Sequence, residues 1–161
     1  MKAIVIGASL SGKTSIKNYL REKSNILVSE MDEELTILNK NIFPEDTDYK
    51  HDVLAPQVIK NILSKESIIF FTNTDYFSDQ DLKEARQIGF KIIQLNVNLE
   101  LLKNRNKTRV INKGYDDLTK YLSGMVDYQT RIQKKGFVDK IINSDLLSVQ
   151  EIGEEILKEL E

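Results

Sequence analysis

The chain of 161 residues contains no cysteine. Disulfides, thiolate nucleophiles and zinc–thiolate sites are therefore excluded. The sequence also lacks any apolar run that approaches the roughly 20 residues needed to cross a bilayer. Its first apolar segment, residues 3–6, begins almost at once and leaves no room for a signal peptide. We therefore expect a cytoplasmic protein that does not enter a membrane.

An excess of positive charge is also missing. The chain has 23 basic and 25 acidic residues, which gives a net charge of −2. A large interface with nucleic acid normally needs a basic surface, so this balance argues against a nucleic-acid partner. The length and a hydrophobic content of 40% suit one domain over residues 1–161 with a single sizeable core.

The most informative motif that is present spans residues 7–14, Gly-Ala-Ser-Leu-Ser-Gly-Lys-Thr. It matches the phosphate-binding pattern G-x-x-x-x-G-K-S/T, and it follows an apolar strand and precedes a helical segment. Gly7 and Gly12 let the backbone curl so that its N–H groups and the helix dipole face phosphate oxygens. We expect Lys13 to reach the β- and γ-phosphates and the Thr14 hydroxyl to ligate Mg²⁺. The expected nucleotide contacts are Gly7, Ser9, Leu10, Ser11, Gly12, Lys13, Thr14 and Ser15.

Apolar strand-like runs alternate with helical patterns along the whole chain, which predicts a parallel sheet in a three-layer α/β domain. Ligands bind such sheets beyond the carboxyl ends of the strands, where the phosphate loop would lie. The five predicted strands are residues 2–6, 25–29, 67–72, 91–97 and 137–142.

Two motifs of GTPases are absent. The sequence after the third strand, Asp75-Tyr76-Phe77-Ser78, lacks the glycine of D-x-x-G, and no N/T-K-x-D pattern for guanine is found. A magnesium-binding acid normally follows the third strand directly, but here Asp75 is displaced by three polar residues. Asp75 is either a magnesium or substrate ligand or a turn residue, and turn chemistry is the commoner explanation. Asn73 and Tyr76 are further candidates for contact with a substrate.

Residues 91–109 resemble the fourth strand and lid helix of nucleoside monophosphate kinases and their shikimate and gluconate kinase relatives. The resemblance rests on L-x-x-R-x-x-x-R, here Leu102, Arg105 and Arg109, and in layout it extends over most of the chain. It implies a P-loop NTPase fold with an acceptor-binding region over about 31–65 and a short lid over about 105–116. It also implies ATP and Mg²⁺ as cofactors, with the adenine near residues 143–146.

Arg105 and Arg109 are four residues apart and so share one helix face. Phosphoryl transfer concentrates negative charge on the moving group, and catalysis depends on positioning and electrostatic stabilisation. We expect Arg105 near the ATP base or phosphates and Arg109 near the transferring phosphate. The alternative is a solvated basic helix face, which is the usual role of a charge run.

Asp32 follows the second strand. The resemblance implies that an aspartate here faces the acceptor hydroxyl and Mg²⁺, and a carboxylate suits both roles. The alternative is an acid that only starts a helix, where the dipole favours it. Residues 31–65 contain no arginine, which a monophosphate acceptor would need. This favours an acceptor with hydroxyls and little charge, or a cationic one.

These observations predict an ATP-dependent phosphotransferase that moves the γ-phosphate of Mg-ATP to a small-molecule hydroxyl. One alternative is a nucleotide or nucleoside kinase with an atypical acceptor site, and another is an ATP-binding regulatory protein with little turnover. For three further side chains we expect no role in the chemistry: His51 is expected on the surface, and Tyr121 and Tyr128 in the core. The residues single out neither the acceptor nor an oligomeric state.

Overall fold

The computed structural model describes residues 1–161 and contains one five-stranded sheet. All strand pairs are parallel, and the spatial order is β2-β3-β1-β4-β5. The expected three-layer α/β fold with a parallel sheet is therefore confirmed. The strands are β1 (Lys2–Gly7), β2 (Val28–Glu30), β3 (Ile68–Thr72), β4 (Lys91–Asn96) and β5 (Lys140–Asn143).

Seven α-helices cover the sheet, and a wide π-helical turn at Tyr49–Leu54 leads directly into the third of them. None of the helices combines the length and the apolar character that a membrane crossing requires. The helices are α1 (Lys13–Lys23), α2 (Met31–Leu38), α3 (Ala55–Leu63), α4 (Asp79–Gln87), α5 (Leu99–Lys113), α6 (Thr119–Lys134) and α7 (Val149–Lys158).

The core lies on both faces of the sheet, because successive strand residues point to opposite sides. From β1, Ile4 and Ile6 enter the larger cluster beneath α2, α3 and α4. Ala3 and Val5 enter a second cluster that includes side chains from α1 and α7. The middle strands are thus buried on both faces. This packing holds the strands in place, and with them the loops that follow their carboxyl ends.

Some boundaries differ from those predicted. β2 begins at Val28 rather than at residue 25. The pattern around Gly114 predicts a break over residues 110–115 and a new helix from residue 116, but α6 begins at Thr119. Helix α5 was expected to end near Arg109 but continues to Lys113, where Gly114 ends it with a φ of 63°. A glycine in this left-handed conformation is a common helix stop. The connection from α5 to α6 is therefore confined to residues 114–118.

Candidate active site

The phosphate loop joins the end of β1 to the start of α1. Gly12 has a φ of 91°, in the left-handed region where a side chain is unfavourable. At Gly7 a Cβ atom would collide with the Ser11 hydroxyl. Leu10 has a φ of 70° despite its side chain, a strain that is typical of functional loops. Both glycines of the motif are therefore required by the loop's own geometry.

The N-terminus of α1 has no side-chain cap and no acidic residue in its first turn. The first N–H groups of a helix have no intrahelical partner, and together with the helix dipole they favour an anion. Within the loop, the buried hydroxyl of Ser11 also lacks a hydrogen-bond partner. These free donors fit phosphate oxygens, and Thr14 and Ser15 lie exposed beside them.

Lys13 lies inside the loop. Its Nζ donates hydrogen bonds to the carbonyl oxygens of Gly7 and Ala8, both at 2.8 Å, and to Asn73 Oδ1 at 3.2 Å. Burial lowers the pKa of Lys13 to about 8, against the opposing charges of Glu30, Asp32 and Asp75. The ammonium group is thus held by its own loop and has carboxylates within electrostatic range.

Asn73 occupies the position directly after β3, where a magnesium-binding acid was sought. Its Nδ2 donates to Ser9 Oγ at 3.1 Å while its Oδ1 accepts from Lys13. Asn73 therefore connects the end of β3 to the phosphate loop.

The two predicted lid arginines have different surroundings. Arg105 Nη1 donates to Leu10 O at 2.9 Å, so this side chain reaches the phosphate loop. Arg109 instead donates from Nη2 to Asp116 O at 3.2 Å and stacks on Tyr115, with its guanidinium carbon 4.9 Å from the ring centre. Its buried Nε has no partner. In this conformation Arg109 contacts the α5–α6 connection.

Asn106 fastens that connection, residues 114–118, to α5. The side chain is 1% exposed. Its Nδ2 donates to Asp117 Oδ1 at 2.6 Å and to Thr119 Oγ1 at 3.0 Å, and its Oδ1 accepts from Leu118 N at 3.1 Å. A fully satisfied buried amide of this kind holds its partners in one arrangement.

A cavity of about 590 Å³ adjoins the phosphate loop. It lies between the segment from α2 to the π-helical turn, the β3–α4 loop and α6, and it shares Ser9 and Asn73 with the phosphate-loop region. Its charged lining residues are Asp32, Lys50, His51 and Asp75, and its aromatic lining residues are Phe43, Tyr76, Tyr121 and Tyr128. The predicted substrate contacts at Asp32, Asn73, Asp75 and Tyr76 thus meet in one cavity.

Asp32 lies in the first turn of α2 and faces solvent at the cavity. The surrounding protein, followed by the neighbouring Glu30 carboxylate, raises the pKa of Asp32 above its ordinary value. A carboxylate with a raised pKa is a better proton acceptor, provided that it remains ionised at the working pH.

His51 lines this cavity, and its side chain remains 25% exposed. Its ring is stacked on Tyr76, with centroids 4.7 Å apart and planes 13° apart. Its Nε2 lies 3.5 Å from Asp75 Oδ2. The π-helical turn brings His51 to Asp75, and a lone histidine in the sequence gives no signal of that contact.

The predictions that Tyr121 and Tyr128 of α6 lie in the core also have different outcomes. Tyr121 is 51% exposed, so its predicted place in the core was wrong. Tyr128 packs against the larger core cluster and donates from its hydroxyl to Phe77 O at 2.7 Å. Helical spacing places two side chains on one side of a helix but does not show whether that side meets a core or a cavity.

The loop after β5 lies beside the phosphate loop. Ser144 Oγ donates to Asn96 O at 3.1 Å and to Ser11 O at 3.4 Å. A smaller cavity of about 310 Å³ opens at the same end of β4 and β5. Its lining includes the amide side chains of Gln94, Asn96, Asn98, Gln129, Gln133 and Asn143.

The oxygen donors present suit Mg²⁺. No three acidic or histidine side chains form a cluster that would hold a metal ion by themselves. Mg²⁺ is usually bound by one or two protein oxygens together with waters and substrate phosphates. The exposed Thr14 hydroxyl at the start of α1 and the Asp32 carboxylate match this requirement.

A phosphate loop at the end of the central strand, a parallel sheet of order β2-β3-β1-β4-β5 and a helix after β4 that reaches the phosphate loop are features of the P-loop kinase fold. No protein-family model and no curated protein sequence matches the chain. The likeness is to solved structures, and each comparison spans nearly the whole chain.

Shikimate kinase from Aquifex aeolicus superposes with a TM-score of 0.74 at 21% identity, over 99% of this chain and 96% of that one. Shikimate kinase from Acinetobacter baumannii in complex with shikimate gives 0.72 at 15% identity, over 99% and 93%. A gluconokinase from Sinorhizobium meliloti gives 0.61 at 17% identity, over 96% and 88%. The fold expected from the resemblance to shikimate and gluconate kinases is thereby confirmed.

Proposed function

We propose that this protein is an ATP-dependent phosphotransferase that moves the γ-phosphate of Mg-ATP to the hydroxyl of a small molecule. The observation that carries the proposal is the position of the 590 Å³ cavity, which shares Ser9 and Asn73 with the phosphate-loop region. A molecule bound there lies next to the place where Lys13 would hold the terminal phosphate. The fold neighbours include kinases named for small-molecule acceptors, in agreement with this function.

The donor half of the reaction uses the phosphate loop. The free N–H groups of α1 receive phosphate oxygens, and Lys13 Nζ exchanges its carbonyl partners for the β- and γ-phosphates. Arg105, which already reaches Leu10 O, adds positive charge beside the nucleotide. Thr14 and Asp32 would hold Mg²⁺, which supplies charge neutralisation of the phosphates. The base lies near residues 143–146.

The acceptor half uses Asp32. Its carboxylate accepts a hydrogen bond from the acceptor hydroxyl and takes up the proton as the hydroxyl oxygen bonds to the γ-phosphorus. The bond between the γ-phosphorus and the β–γ bridging oxygen breaks, and ADP leaves. Asn73, Asp75 and Tyr76 position the acceptor.

Arg109 contacts the transferring phosphate in this proposal. To do so, its guanidinium would have to leave Asp116 O and Tyr115, which it contacts in this structure. Removal of a residue that stabilises developing charge commonly lowers kcat by about 10²- to 10³-fold. If Arg109→Ala leaves kcat/KM within about twofold of wild type, this role is wrong.

An acceptor screen tests the function. ATP consumption is measured with nucleosides, nucleotides, sugars and polyol acids, and phosphate transfer is confirmed by mass spectrometry of the product. We expect one class to raise ATP consumption, and Lys13→Ala to abolish the increase while Lys107→Ala, on the exposed part of α5, preserves it. Acceptor-independent hydrolysis alone, or product formation by Lys13→Ala, would contradict the proposal.

One observation favours a second candidate, an ATP-binding regulatory protein with little turnover. Asn73 stands directly after β3, where many P-loop enzymes have a magnesium-binding acid, and an amide is a weaker ligand for Mg²⁺ than a carboxylate. Tight ATP binding together with no acceptor-dependent turnover across the screen would select this candidate. Restoration of turnover by Asn73→Asp would show that the amide is the cause.

A further inference from the structure

The cavity next to the phosphate loop offers little free positive charge to an acidic acceptor. Its two carboxylates, Asp32 and Asp75, are matched by only Lys50 and His51, and no arginine lines it. His51 Nε2 faces Asp75 at 3.5 Å, and Lys50 Nζ lies 5.3 Å from the centre of the Phe43 ring. The lining is therefore neutral when His51 is protonated and negative when it is not.

The nearby guanidinium of Arg131 does not change this balance. It stacks on Tyr128, with its central carbon 5.0 Å from the ring centre, but it is paired with Asp79 at 2.5 Å and does not line the cavity. Asp79 is also paired with Lys135. A carboxylate or phosphate on the acceptor would thus meet two acids and the single ammonium group of Lys50, with no bidentate guanidinium, and this balance opposes its binding.

Four aromatic side chains, together with Leu118 and Met125, form the apolar part of the lining. Four of the chain's twelve phenylalanine and tyrosine residues surround the cavity, and the His51 ring is stacked on one of them. Aromatic side chains bind the faces of nucleobases by stacking, and their apolar rings also pack on the C–H faces of sugars. The cavity volume lies within the range of about 300–1,000 Å³ typical of small-molecule sites.

Neutral hydrogen-bonding groups complete the cavity. Ser9, Thr47, Asn73 and Thr74 supply hydroxyl and amide groups suited to acceptor hydroxyls. Burial, followed by the charges of Asp32 and Asp75, raises the pKa of Tyr76, so its phenol stays protonated and can donate a hydrogen bond. The same two acids can accept hydrogen bonds from acceptor hydroxyls.

We propose that the acceptor is an uncharged, hydroxyl-bearing ring compound, a nucleoside or a neutral sugar, and that carboxylated and phosphorylated analogues are discriminated against. The inference rests on the proposed function, because it names the substrate class of the same site. It also separates this chain from its fold neighbours named for shikimate and gluconate, which are acids.

Pairs of a neutral compound and an acidic analogue test the inference: the carboxylates add one negative charge and the phosphate monoester adds about two. The probes are methyl shikimate against shikimate, glucose against gluconate, and uridine against uridine 5′-monophosphate, each with Mg-ADP present for binding and Mg-ATP for transfer. We expect the uncharged member to bind about tenfold more tightly in at least one pair. The uridine and glucose arms distinguish a nucleoside site from a sugar site. Tighter binding of the acids, or no binding of any neutral ring, would overturn the inference.

Two variants connect the preference to the cavity. Asp75→Asn should raise the affinity for the acidic probes about five- to tenfold relative to the affinity for their neutral partners. Tyr76→Leu should weaken the neutral ring about tenfold by removing the stacking surface, whereas Tyr49→Leu, outside the cavity lining, should not. An unchanged ratio of acidic to neutral affinity in Asp75→Asn would contradict the electrostatic argument, and thermal melts verify that each variant folds.

Failure of the inference and failure of the proposed function have different signatures. Transfer to shikimate, gluconate or the nucleotide in preference to the neutral partners would overturn the inference and support the phosphotransferase. Preferential binding of a neutral ring without any transfer would support the binding inference and reject the phosphotransferase. Lys13→Ala separates the two readouts, because it should abolish transfer while neutral-ring binding persists.

Discussion

Two opposing influences act on the charge of Lys13. Burial lowers its pKa to about 8, while the carboxylates of Glu30, Asp32 and Asp75 act in the opposite direction. Nucleotide phosphates bring further negative charge to Nζ, so the pKa must be higher in the complex than in the free protein. Nucleotide binding above pH 8 is therefore coupled to proton uptake.

This coupling predicts a pH dependence of affinity. The Kd for ADP should be constant below about pH 8, where Lys13 is protonated in both states, and should rise about tenfold between pH 7 and pH 9. Isothermal titration calorimetry in buffers of different ionisation enthalpy measures both the Kd and the proton uptake. Lys13→Met should bind weakly with a flat profile, and a wild-type profile equally flat to pH 9 would contradict the assignment.

Asp32 is tested by an isosteric change that removes its charge. Asp32→Asn should lower kcat about 10²- to 10⁴-fold, because the acceptor hydroxyl loses its proton acceptor. The acid limb of the wild-type kcat/KM profile, which reports ionisation of the free enzyme, should lie above the pH expected of an ordinary aspartate, because the pKa of Asp32 is raised in the free protein. The control is Asp52→Asn, an exposed acid that does not line the cavity. Equal rates for the two variants would show that Asp32 only stabilises the N-terminus of α2 and takes no part in catalysis.

At the residue scale, the sequence predicted the roles that follow from a pattern. Gly7 and Gly12 are required because only they permit the loop's close approach and left-handed backbone. The left-handed Leu10 could not be predicted, because a leucine is disfavoured there and only the surrounding structure can maintain it. The bonds of Asn73 to Lys13 and Ser9 were equally hidden, since they join residues about sixty positions apart.

At the scale of elements, a charged network joins α1 to β2 and α2. The buried Lys17 Nζ lies 2.5 Å from Glu30 Oε2 and 2.6 Å from Glu33 Oε1, and Arg21 also binds Glu33. Burial opposes the charge on Lys17, but the hydrogen bonds that Lys17 donates to the two glutamates outweigh it and raise the pKa of Lys17. The network fixes the start of α2, which carries Asp32, relative to the helix that follows the phosphate loop.

Loss of one partner from this network should therefore lower the stability of the fold. Lys17→Met leaves Glu30 unpaired and should lower the free energy of unfolding by roughly 2 kcal/mol at pH 7, after allowance for the partial exposure of Glu33. For a chain of this length that is a fall in Tm of about 4–8 °C. Lys83→Met, on the exposed face of α4, is the matched control and should change Tm by less than 2 °C.

The sign of the pH dependence follows from Glu33. Burial raises the pKa of Glu33, but hydrogen bonds from Arg21 and Lys17 outweigh this and hold it below its usual value. Its contribution to stability is present above the unfolded-state pKa and is lost as the pH falls through the folded-state value. The difference in Tm between wild type and Lys17→Met should shrink in acid, and a difference that grows there would contradict the network.

The last helix depends on its cap. Ser148 accepts a hydrogen bond from Glu151 N while the Glu151 side chain accepts one from Ser148 N, which is the capping box that S-x-x-E predicts. Ser148→Ala should lower the free energy of unfolding by about 1 kcal/mol and Tm by about 2–4 °C in calorimetry. Ser123→Ala, at an exposed position inside α6, should be neutral or slightly stabilising. Equal losses in the two variants would argue against the cap.

Local signals of this kind were sufficient to predict a helix boundary where the residues that form the boundary are close together in the sequence. The capping boxes of α4 and α7 were predictable because both partners lie within four residues. The predicted end of α5 was too early, because Gly114 favours a break over residues 110–115 although the backbone remains helical to Lys113. The surroundings of Tyr121 and His51 depend on which elements pack beside them, and a single sequence does not specify that packing.

At the scale of the whole molecule, strand order divides the site into two halves. One half lies beyond the carboxyl ends of β1, β4 and β5, and it contains the phosphate loop, Arg105 and Ser144. Asp32 and Asn73 follow β2 and β3, in the other half. Donor and acceptor groups thus meet at β1, the central strand. The sequence predicted that all these groups share one edge, since parallel strands end together, but it did not predict their order across the sheet.

This division predicts nearly independent binding of the two substrates. Strong coupling needs an element with two arrangements that both ligands bias, and three hydrogen bonds of the buried Asn106 hold the α5–α6 connection at 114–118 to α5 whether or not Arg109 moves. Saturation with the tightest-binding neutral ring should therefore change the Kd for Mg-ADP by less than about threefold. Asn106→Ala should raise hydrogen exchange in residues 114–121 and lower Tm, because three hydrogen bonds are lost. Tenfold synergy in the wild type, with exchange in 114–121 suppressed only when both ligands are bound, would instead show that this connection closes as a lid.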